Sequence, residues 1–424
     1  MLDKSRMTLC LALLALFVIN PLASFVNPDL DPNFLVGGDS SAMSRTILGL
    51  SETWSDPGAY GYSWKRLFEM SASTLIISTS YLVVFLLTMV AIFVYGEAQV
   101  PEHSTSMQSF WVHRKQADNE IKEQANLTRE RAQELRHHLS LALHSLGRPV
   151  PSGRVELWLS VLWQVVHQAL HRIGFARWFV RRAGGFQAES KTRALITTAR
   201  KECAIAYHQL HQVHLALERK DHLTGLYLAL TAVNLAEASG TAVASNFRCH
   251  VYALLSLRIR HSLPRFVFKF LARFYMFKAK RRHANSEMID AGLAWLMTKE
   301  GQEFAAQPHW FFGQSTGEFT SVPDDSLNPL AVLGRYFREE QLTKALSIAV
   351  SPGTAEGEQI GDGLELVRKA EVNNSSVDIG VLKPCQDSLS RWWSAVLAIA
   401  YHWMLDEKEK ARQLYRTVES YEVS

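Results

Sequence analysis

Two stretches of this chain carry no charged side chain, and they constrain its fold more than any other feature. Residues 7–26 contain no Asp, Glu, Lys or Arg, and residues 71–95 form a second such run, bounded by Glu69 and Glu97. A helix needs about 20 apolar residues to cross a bilayer, and both runs reach that length. The sequence therefore predicts two transmembrane helices.

The positive charges beside these runs indicate how the two helices are oriented. Lys4 and Arg6 precede the first run, and Arg114 and Lys115 follow the second, so the positive-inside rule places both flanks in the cytosol. The predicted fold class is all-α, with a two-helix transmembrane hairpin followed by a cytosolic helical domain. The predicted segments are a cytosolic stub at 1–6, transmembrane helices at 7–26 and 71–95, a luminal loop at 27–70, a linker at 96–110 and a cytosolic helical regulatory domain at 111–424.

The first run has an alternative interpretation as a cleaved signal peptide. A positive start, a short apolar core and the sequence PLAS fit that pattern in part. A cut after Ala23, however, would place Pro21 where a small residue is required. Either interpretation leaves residues 27–70 on the luminal side.

Beyond residue 110 the chain is rich in charge, and its apolar residues recur at helical spacing. Leu135, Leu139, Leu143 and Leu146 are one such series. Lys344-Ala345 and Lys410-Ala411 lie 66 residues apart in similar surroundings, about two periods of a tetratricopeptide-like helix pair of roughly 34 residues. We therefore expect an irregular helical repeat or a helical bundle. Further helices are predicted at about 153–182, 190–219, 222–238, 242–261, 264–283, 287–299, 326–350, 357–370 and 387–419.

The histidines and cysteines give little support for an enzyme. The four cysteines are scattered and form no paired metal motif. His167 and His171 are four residues apart, and His208, His211 and His214 are three apart, but no carboxylate or thiol completes either set. We expect these histidines to be polar helix positions, and we predict no catalytic residue, no metal and no cofactor.

A basic and aromatic segment, RIRHSLPRFVFKFLARFYMFKAKRRH, covers residues 258–283. No acidic residue occurs between Glu237 and Glu287. The segment could be a helix with its apolar side in the core, an amphipathic helix on an anionic membrane, a docking face for an acidic partner, or a nucleic-acid patch. The predicted membrane attachment disfavours nucleic acid.

Asn20 and Pro21 interrupt the first apolar run. Pro21 has no N–H for the carbonyl of Phe17, at a cost of about 3 kcal/mol in a helix interior. In hydrocarbon the freed carbonyl finds no water. Two interpretations stay open: a kink that a neighbouring helix satisfies, or a segment built to unwind for an intramembrane protease.

Several motifs carry a resemblance to a known family. They are DKSRMTLC, NPLAS, SRTILGL, VYGE and FWVHRKQAD, followed by LGRPVP, AYHQLHQVH, AVNLAEA and SRWWSAV. The first five resemble the sterol regulatory element-binding protein family in order and spacing, and the last four resemble blocks of its C-terminal regulatory domain. The resemblance covers nearly the whole chain to about residue 419. The resemblance implies a transcription-factor precursor for cholesterol and lipid biosynthesis genes. It implies a multi-pass location in the endoplasmic reticulum membrane and movement to the Golgi with a sterol-sensing cleavage-activating escort protein.

The resemblance also implies two proteolytic sites. A site-1 protease would cut the luminal loop after Leu48, with Arg45 as the charge that it recognises. A site-2 protease would then cut between Leu9 and Cys10. The expected partners are thus the escort, the two proteases and the lipid bilayer.

The resemblance assigns a role to Asn20 and Pro21, and the predicted escort binding directs attention to exposed positions of the helical domain. Asn20 and Pro21 correspond to the family's Asn-Pro pair, which lets the upstream helix unwind. The basic aromatic segment and Arg391, Trp392 and Trp393 are candidates for binding the escort. Adjacent tryptophans on one helix are more often core residues, which is the alternative for Trp392 and Trp393.

The sequence departs from the family in one respect. The family's basic helix-loop-helix leucine zipper lies upstream of the first apolar run, and this sequence does not contain it. We expect either a fragment of a longer precursor or a shortened product that keeps only the membrane and regulatory parts, and we favour the fragment. The released N-terminal part of the full precursor would move to the nucleus and bind DNA. The alternative, from another functional class, is a membrane adaptor with a cytosolic helical-repeat interaction domain and no proteolytic role.

Overall fold

The computed structural model describes most of the chain after residue 103. The described residues are 104–122, 129–173, 178, 182–187, 189–217, 221–284, 291–305, 329–351, 357–372 and 388–419, with single residues between 79 and 94. The chain divides into two compact units, 1–97 and 98–424. Within the described ranges all regular structure is helical and no strand occurs.

The helices of the second unit follow one another closely. In chain order they are α1 (Thr105–Lys122), α2 (Arg129–Ser145), α3 (Arg154–Ile173), α4 (Ser190–Leu217), α5 (His222–Ala238), α6 (Ser245–Ser262), α7 (Arg265–Ala284), α8 (Ala291–Met297), α9 (Lys299–Phe304), α10 (Pro329–Val350), α11 (Gly357–Val372), α12 (Ser388–Met404) and α13 (Lys408–Glu419). A short 3₁₀ turn, Gly240–Ala242, separates α5 from α6.

Local signals in the sequence explain where several helices begin and end. The Asp221 side chain accepts a hydrogen bond from the Thr224 backbone N–H at 3.2 Å and so starts α5. Gly147, at φ +74°, ends α2. Its left-handed backbone lets the N–H groups at this point donate hydrogen bonds to carbonyls in the last turn of the helix. The helix predicted at 387–419 is divided in two, and a short helix, α9, follows the one predicted at 287–299. Thr298 caps α9 after α8, and Asp406, at φ +60°, separates α12 from α13.

Most helices pack on their neighbours in the chain, whereas α3 packs on α5 and α2 also packs on α4, an arrangement expected of a helical repeat or bundle. The larger core is built around α5 and α6, in which nearly every residue from Leu226 to Ala236 and from Cys249 to Ile259 is buried. Trp295 of α8 is fully buried and stacks on Phe337 of α10, with 5.3 Å between the ring centroids. The start of α10 thus belongs to this core.

A smaller core joins the end of α10 to α11, α12 and α13. Its centre is Tyr401, which is fully buried and donates a hydrogen bond to the Ala345 carbonyl at 2.5 Å. Ala345 and Ala411 are both buried, whereas the preceding Lys344 and Lys410 are exposed and pair with Glu340 and Glu407. The two Lys-Ala pairs therefore have equivalent surroundings, and the tetratricopeptide-like repeat stays a prediction.

The predicted transmembrane hairpin requires correction. No helix among the described residues is both long and apolar enough to cross a membrane. The most apolar, α5, has 17 residues, and a bilayer crossing takes about 20. This finding contradicts the hairpin and the multi-pass location in the endoplasmic reticulum membrane. Residues 7–26 and most of 71–95 lie outside the described residues.

The smaller core yields a first prediction. Gly363 on α11 faces Tyr401 so closely that an added Cβ would overlap the tyrosine ring and hydroxyl. Gly363→Ala should lower the free energy of unfolding by about 1–3 kcal/mol, because the buried ring has no room to move. Urea unfolding followed by circular dichroism measures this.

The same helix provides the control. Gly361 is exposed, and an added Cβ would meet nothing within 4 Å. Gly361→Ala should therefore raise stability by up to about 1 kcal/mol through helix propensity. Equal effects of the two substitutions would contradict the packing of α11 on α12.

Candidate functional site

Helix α7 places aromatic and basic side chains together on its exposed side. Phe270 and Phe277 are 72% and 63% exposed, unusually high for such large apolar residues. Arg273, Lys280 and Arg281 are also exposed. Because these positions recur three or four apart, they lie on one face of the helix. We call these five residues the basic aromatic face.

The opposite side of α7 is held firmly in the core. Ala272, Tyr275 and Ala279 are buried against α6. Ser256 Oγ of α6 donates a hydrogen bond to the Ala272 carbonyl at 2.7 Å, and Cys249 Sγ lies 3.4 Å from the Ala279 carbonyl. The segment that the sequence singled out is therefore both a core helix and an exposed face.

A buried carboxylate on α5 joins α7 to its neighbours. The Glu237 side chain is 11% exposed and accepts hydrogen bonds from Lys278 Nζ at 2.7 Å and the Tyr252 hydroxyl at 2.6 Å. Burial raises the pKa of Glu237, but the charge of Lys278 and the two hydrogen bonds outweigh it and leave that pKa below its ordinary value. Glu237 is thus an ionised anchor for α6 and α7.

Side chains of α3 extend this arrangement into a network. Gln168 Nε2 donates to Asn234 Oδ1 at 2.5 Å, and the Tyr275 hydroxyl donates to Gln168 Oε1 at 3.1 Å. Burial raises the pKa of Tyr275 to about 12, so its hydroxyl stays protonated at neutral pH and can donate this hydrogen bond. The Arg172 guanidinium lies 4.1 Å above the Phe274 ring. The network connects α3, α5 and α7.

His171 and His167, which the sequence paired as possible ligands, have different environments. His171 Nδ1 lies 3.8 Å from Glu237 Oε2. Burial lowers the pKa of His171, and Glu237 offsets this only in part. His167 instead meets the Trp163 ring edge to face, with 5.0 Å between centroids. The two histidines share no third ligand, and no grouping of three or more metal-ligating side chains occurs in the described ranges.

The other histidine series, on α4, is wholly buried. Burial lowers the pKa of His208 to about 3, and it lowers the pKa of His211 well below its ordinary value with help from the charge of Arg258. His208 packs edge to face on Phe247, and His214 Nε2 lies 3.0 Å from the Asp221 carbonyl. His208 and His211 are therefore neutral packing groups at pH 7.

Arg258 is a buried cation beside them. Its guanidinium donates to the Asp221 carbonyl at 2.5 Å, and it occupies space left by Gly225, where any Cβ would overlap it. Burial lowers the pKa of Arg258 to about 10, partly offset by Asp221. The guanidinium stays charged at neutral pH and fixes α6 to the start of α5.

The other proposed escort-binding residues lie on α12. Arg391 is exposed, whereas Trp392 and Trp393 are half-buried and meet edge to face at 5.0 Å. Trp393 packs against the smaller core, and the escort-binding role of these residues stays a prediction. The predicted cleavage and unwinding residues lie outside the described residues: Leu9, Cys10, Asn20, Pro21, Arg45 and Leu48.

Sequence reasoning did not find the network around Glu237. One signal was present, because Glu237 is the last acidic residue before the long acid-free stretch. Its partner Lys278 lies 41 residues further along the chain, and no local pattern connects the two. Only packing brings them together.

Comparison with known proteins adds no family to this picture. No protein-family model matches the chain, and no solved structure matches it. The assignment of function therefore depends on the geometry above and on the motifs that resemble the sterol regulatory element-binding proteins.

The network predicts the effect of removing its charge. Glu237→Gln leaves Lys278 beside a neutral group and should lower the free energy of unfolding by about 1–3 kcal/mol. Glu303→Gln, which removes an exposed partner of Lys299, should change it by less than about 0.5 kcal/mol. Denaturant titration of both variants checks this, and equal losses would contradict an anchoring role for Glu237.

The buried histidines predict how stability depends on pH. In the unfolded chain His208 binds a proton below about pH 6.5. In the folded chain it stays neutral down to about pH 3, so lowering the pH favours unfolding. When the pH falls from 7.5 to 5.0, the free energy of unfolding should fall by about 2 kcal/mol less in His208→Gln than in the wild type. His137→Gln, at an exposed position, is the control and should keep the wild-type dependence.

Proposed function

We propose that residues 104–419 form a protein-binding regulatory domain and that the basic aromatic face of α7 is its docking surface. The observation that carries this proposal is the exposure of Phe270 and Phe277 on a helix whose other side is fixed in the core. Two large aromatic side chains at such exposure are unfavourable in water unless a partner covers them.

The charge of this face specifies the chemistry of the partner. Arg273, Lys280 and Arg281 lie beside the two phenylalanines, and no acidic residue occurs nearby in the sequence. Aromatic residues and arginine are the side chains that protein interfaces favour, and a cationic rim attracts an acidic surface. A nucleic-acid duplex would use the cations but leave the exposed rings without a role, because its bases already stack on one another. An acidic protein surface with apolar pockets fits best.

The resemblance to the sterol regulatory element-binding proteins proposes which protein this is. In that family the C-terminal regulatory domain binds the sterol-sensing cleavage-activating escort. We propose the same role for this helical domain, as the regulatory part of a transcription-factor precursor that controls lipid biosynthesis genes. The buried polar networks support it by holding α7 rigid, so that the face needs little ordering upon binding.

Introducing negative charge on the basic aromatic face tests the proposal. Phe277→Glu and Arg281→Glu should each weaken co-precipitation of the full chain with the escort at least tenfold, roughly the loss expected at an interface hot spot. Binding should also weaken as salt is raised, because the complementary charges are screened.

Trp403→Glu is a matched control. Trp403 lies on α12 and is 65% exposed, close to the value for Phe277. If Trp403→Glu or Arg391→Glu abolished binding while Phe277→Glu did not, α12 would be the docking surface instead. If all four variants bound the escort like the wild type, the helical domain would not be its binding site.

A further inference from the structure

A second exposed apolar surface lies on α3, and the proposed function does not use it. Val155, Trp158, Leu162 and Val165 are 74%, 64%, 46% and 48% exposed. Ala169, one step further along the same series, is also exposed. We call these five residues the α3 stripe.

The spacing of the stripe is that of a coiled-coil seam. Its positions alternate between three and four residues apart, which is the a and d pattern of a heptad repeat. An adjoining side of α3 is already occupied, because Leu157, Val161 and Gln168 are buried in the domain. The stripe is therefore a complete seam with no helix of the described chain upon it.

We propose that the α3 stripe pairs with the α3 stripe of a second copy of this chain, in an antiparallel two-helix contact. A twofold axis between residues 163 and 164 would place Leu162 opposite Val165 of the second copy. It would also place Trp158, the largest residue of the stripe, opposite Ala169 of the second copy, the smallest. The largest residue of the stripe then meets the smallest, as knobs-into-holes packing favours, and Val155 lies opposite position 172 at the end of the contact.

Charge also favours a second copy over a charged partner. No Asp, Glu, Lys or Arg occurs between Glu156 and Arg172, so the seam neither repels its own copy nor attracts an acidic or basic one. Antiparallel pairing brings the Arg172 end of one helix to the Glu156 end of the other and opposes the two helix dipoles.

The exposed area is sufficient for a specific contact. The four large side chains of the stripe expose on the order of 400 Å² in each chain, as much as the largest apolar patches on ordinary monomers. Two stripes, with the half-exposed Leu159 and Val166 beside them, together approach the roughly 1,000 Å² that a specific interface needs.

Sedimentation of the purified full chain tests the proposal. The wild type should sediment at twice the monomer mass of 47.9 kDa, and Leu162→Glu should weaken the dimer at least roughly tenfold without changing the circular dichroism. Phe277→Glu is the control, because it places the same charge on another exposed helix face and should leave the dimer intact. A monomeric wild type, or a Leu162→Glu chain that stays dimeric, would overturn the proposal.

A charge-swap mixture tests the register. Leu162→Glu and Val165→Lys should each be monomeric alone, and mixing them should restore a heterodimer, because the two altered positions face each other across the axis. Restoration by mixing Leu162→Glu with Leu162→Lys instead would indicate parallel pairing and reject the antiparallel register. Escort binding is proposed for α7 and dimerisation for α3. A failed dimer test therefore leaves the proposed function standing, and a failed escort test leaves the dimer proposal standing.

Discussion

The arrangement of α3, α5, α6 and α7 depends on one buried carboxylate. Ionised Glu237, nearly out of contact with water, is tolerable only because neighbouring helices supply partners for it. Lys278 of α7 and Tyr252 of α6 donate to it directly, and the amide chain through Gln168 brings in α3. Apolar packing brings these helices together, but it does not by itself specify how each one is rotated. The directional bonds to Glu237 do so.

The rotation of each helix decides which residues reach solvent. With Lys278 turned towards Glu237 and Tyr275 towards Gln168, Phe277 has to point away from the core. With Gln168 bonded to Asn234, the adjoining side of α3 exposes Trp158. The two exposed faces are thus consequences of one buried network. One is cationic and the other uncharged, so they suit different partners.

The sequence located most helices of the second unit to within a few residues, because apolar periodicity and capping residues are local signals. It did not anticipate the break at Asp406, whose left-handed backbone interrupts an otherwise continuous helical pattern. The transmembrane hairpin was predicted from apolar composition, and α5 illustrates the weakness of that signal. It is apolar on all sides because protein surrounds it, and a membrane helix would have a similar composition.

For the candidate site, the sequence by itself determined that residues 258–283 form a basic and aromatic helix, since composition and periodicity are properties of a single segment. It left open whether the aromatic rings are buried or exposed. Only the tertiary structure decided this, by burying Tyr275 and exposing Phe277 two residues later. The physical reason is that the rotation of α7 depends on Lys278 meeting Glu237, 41 residues away, and a contact over that separation forms only when the helices pack.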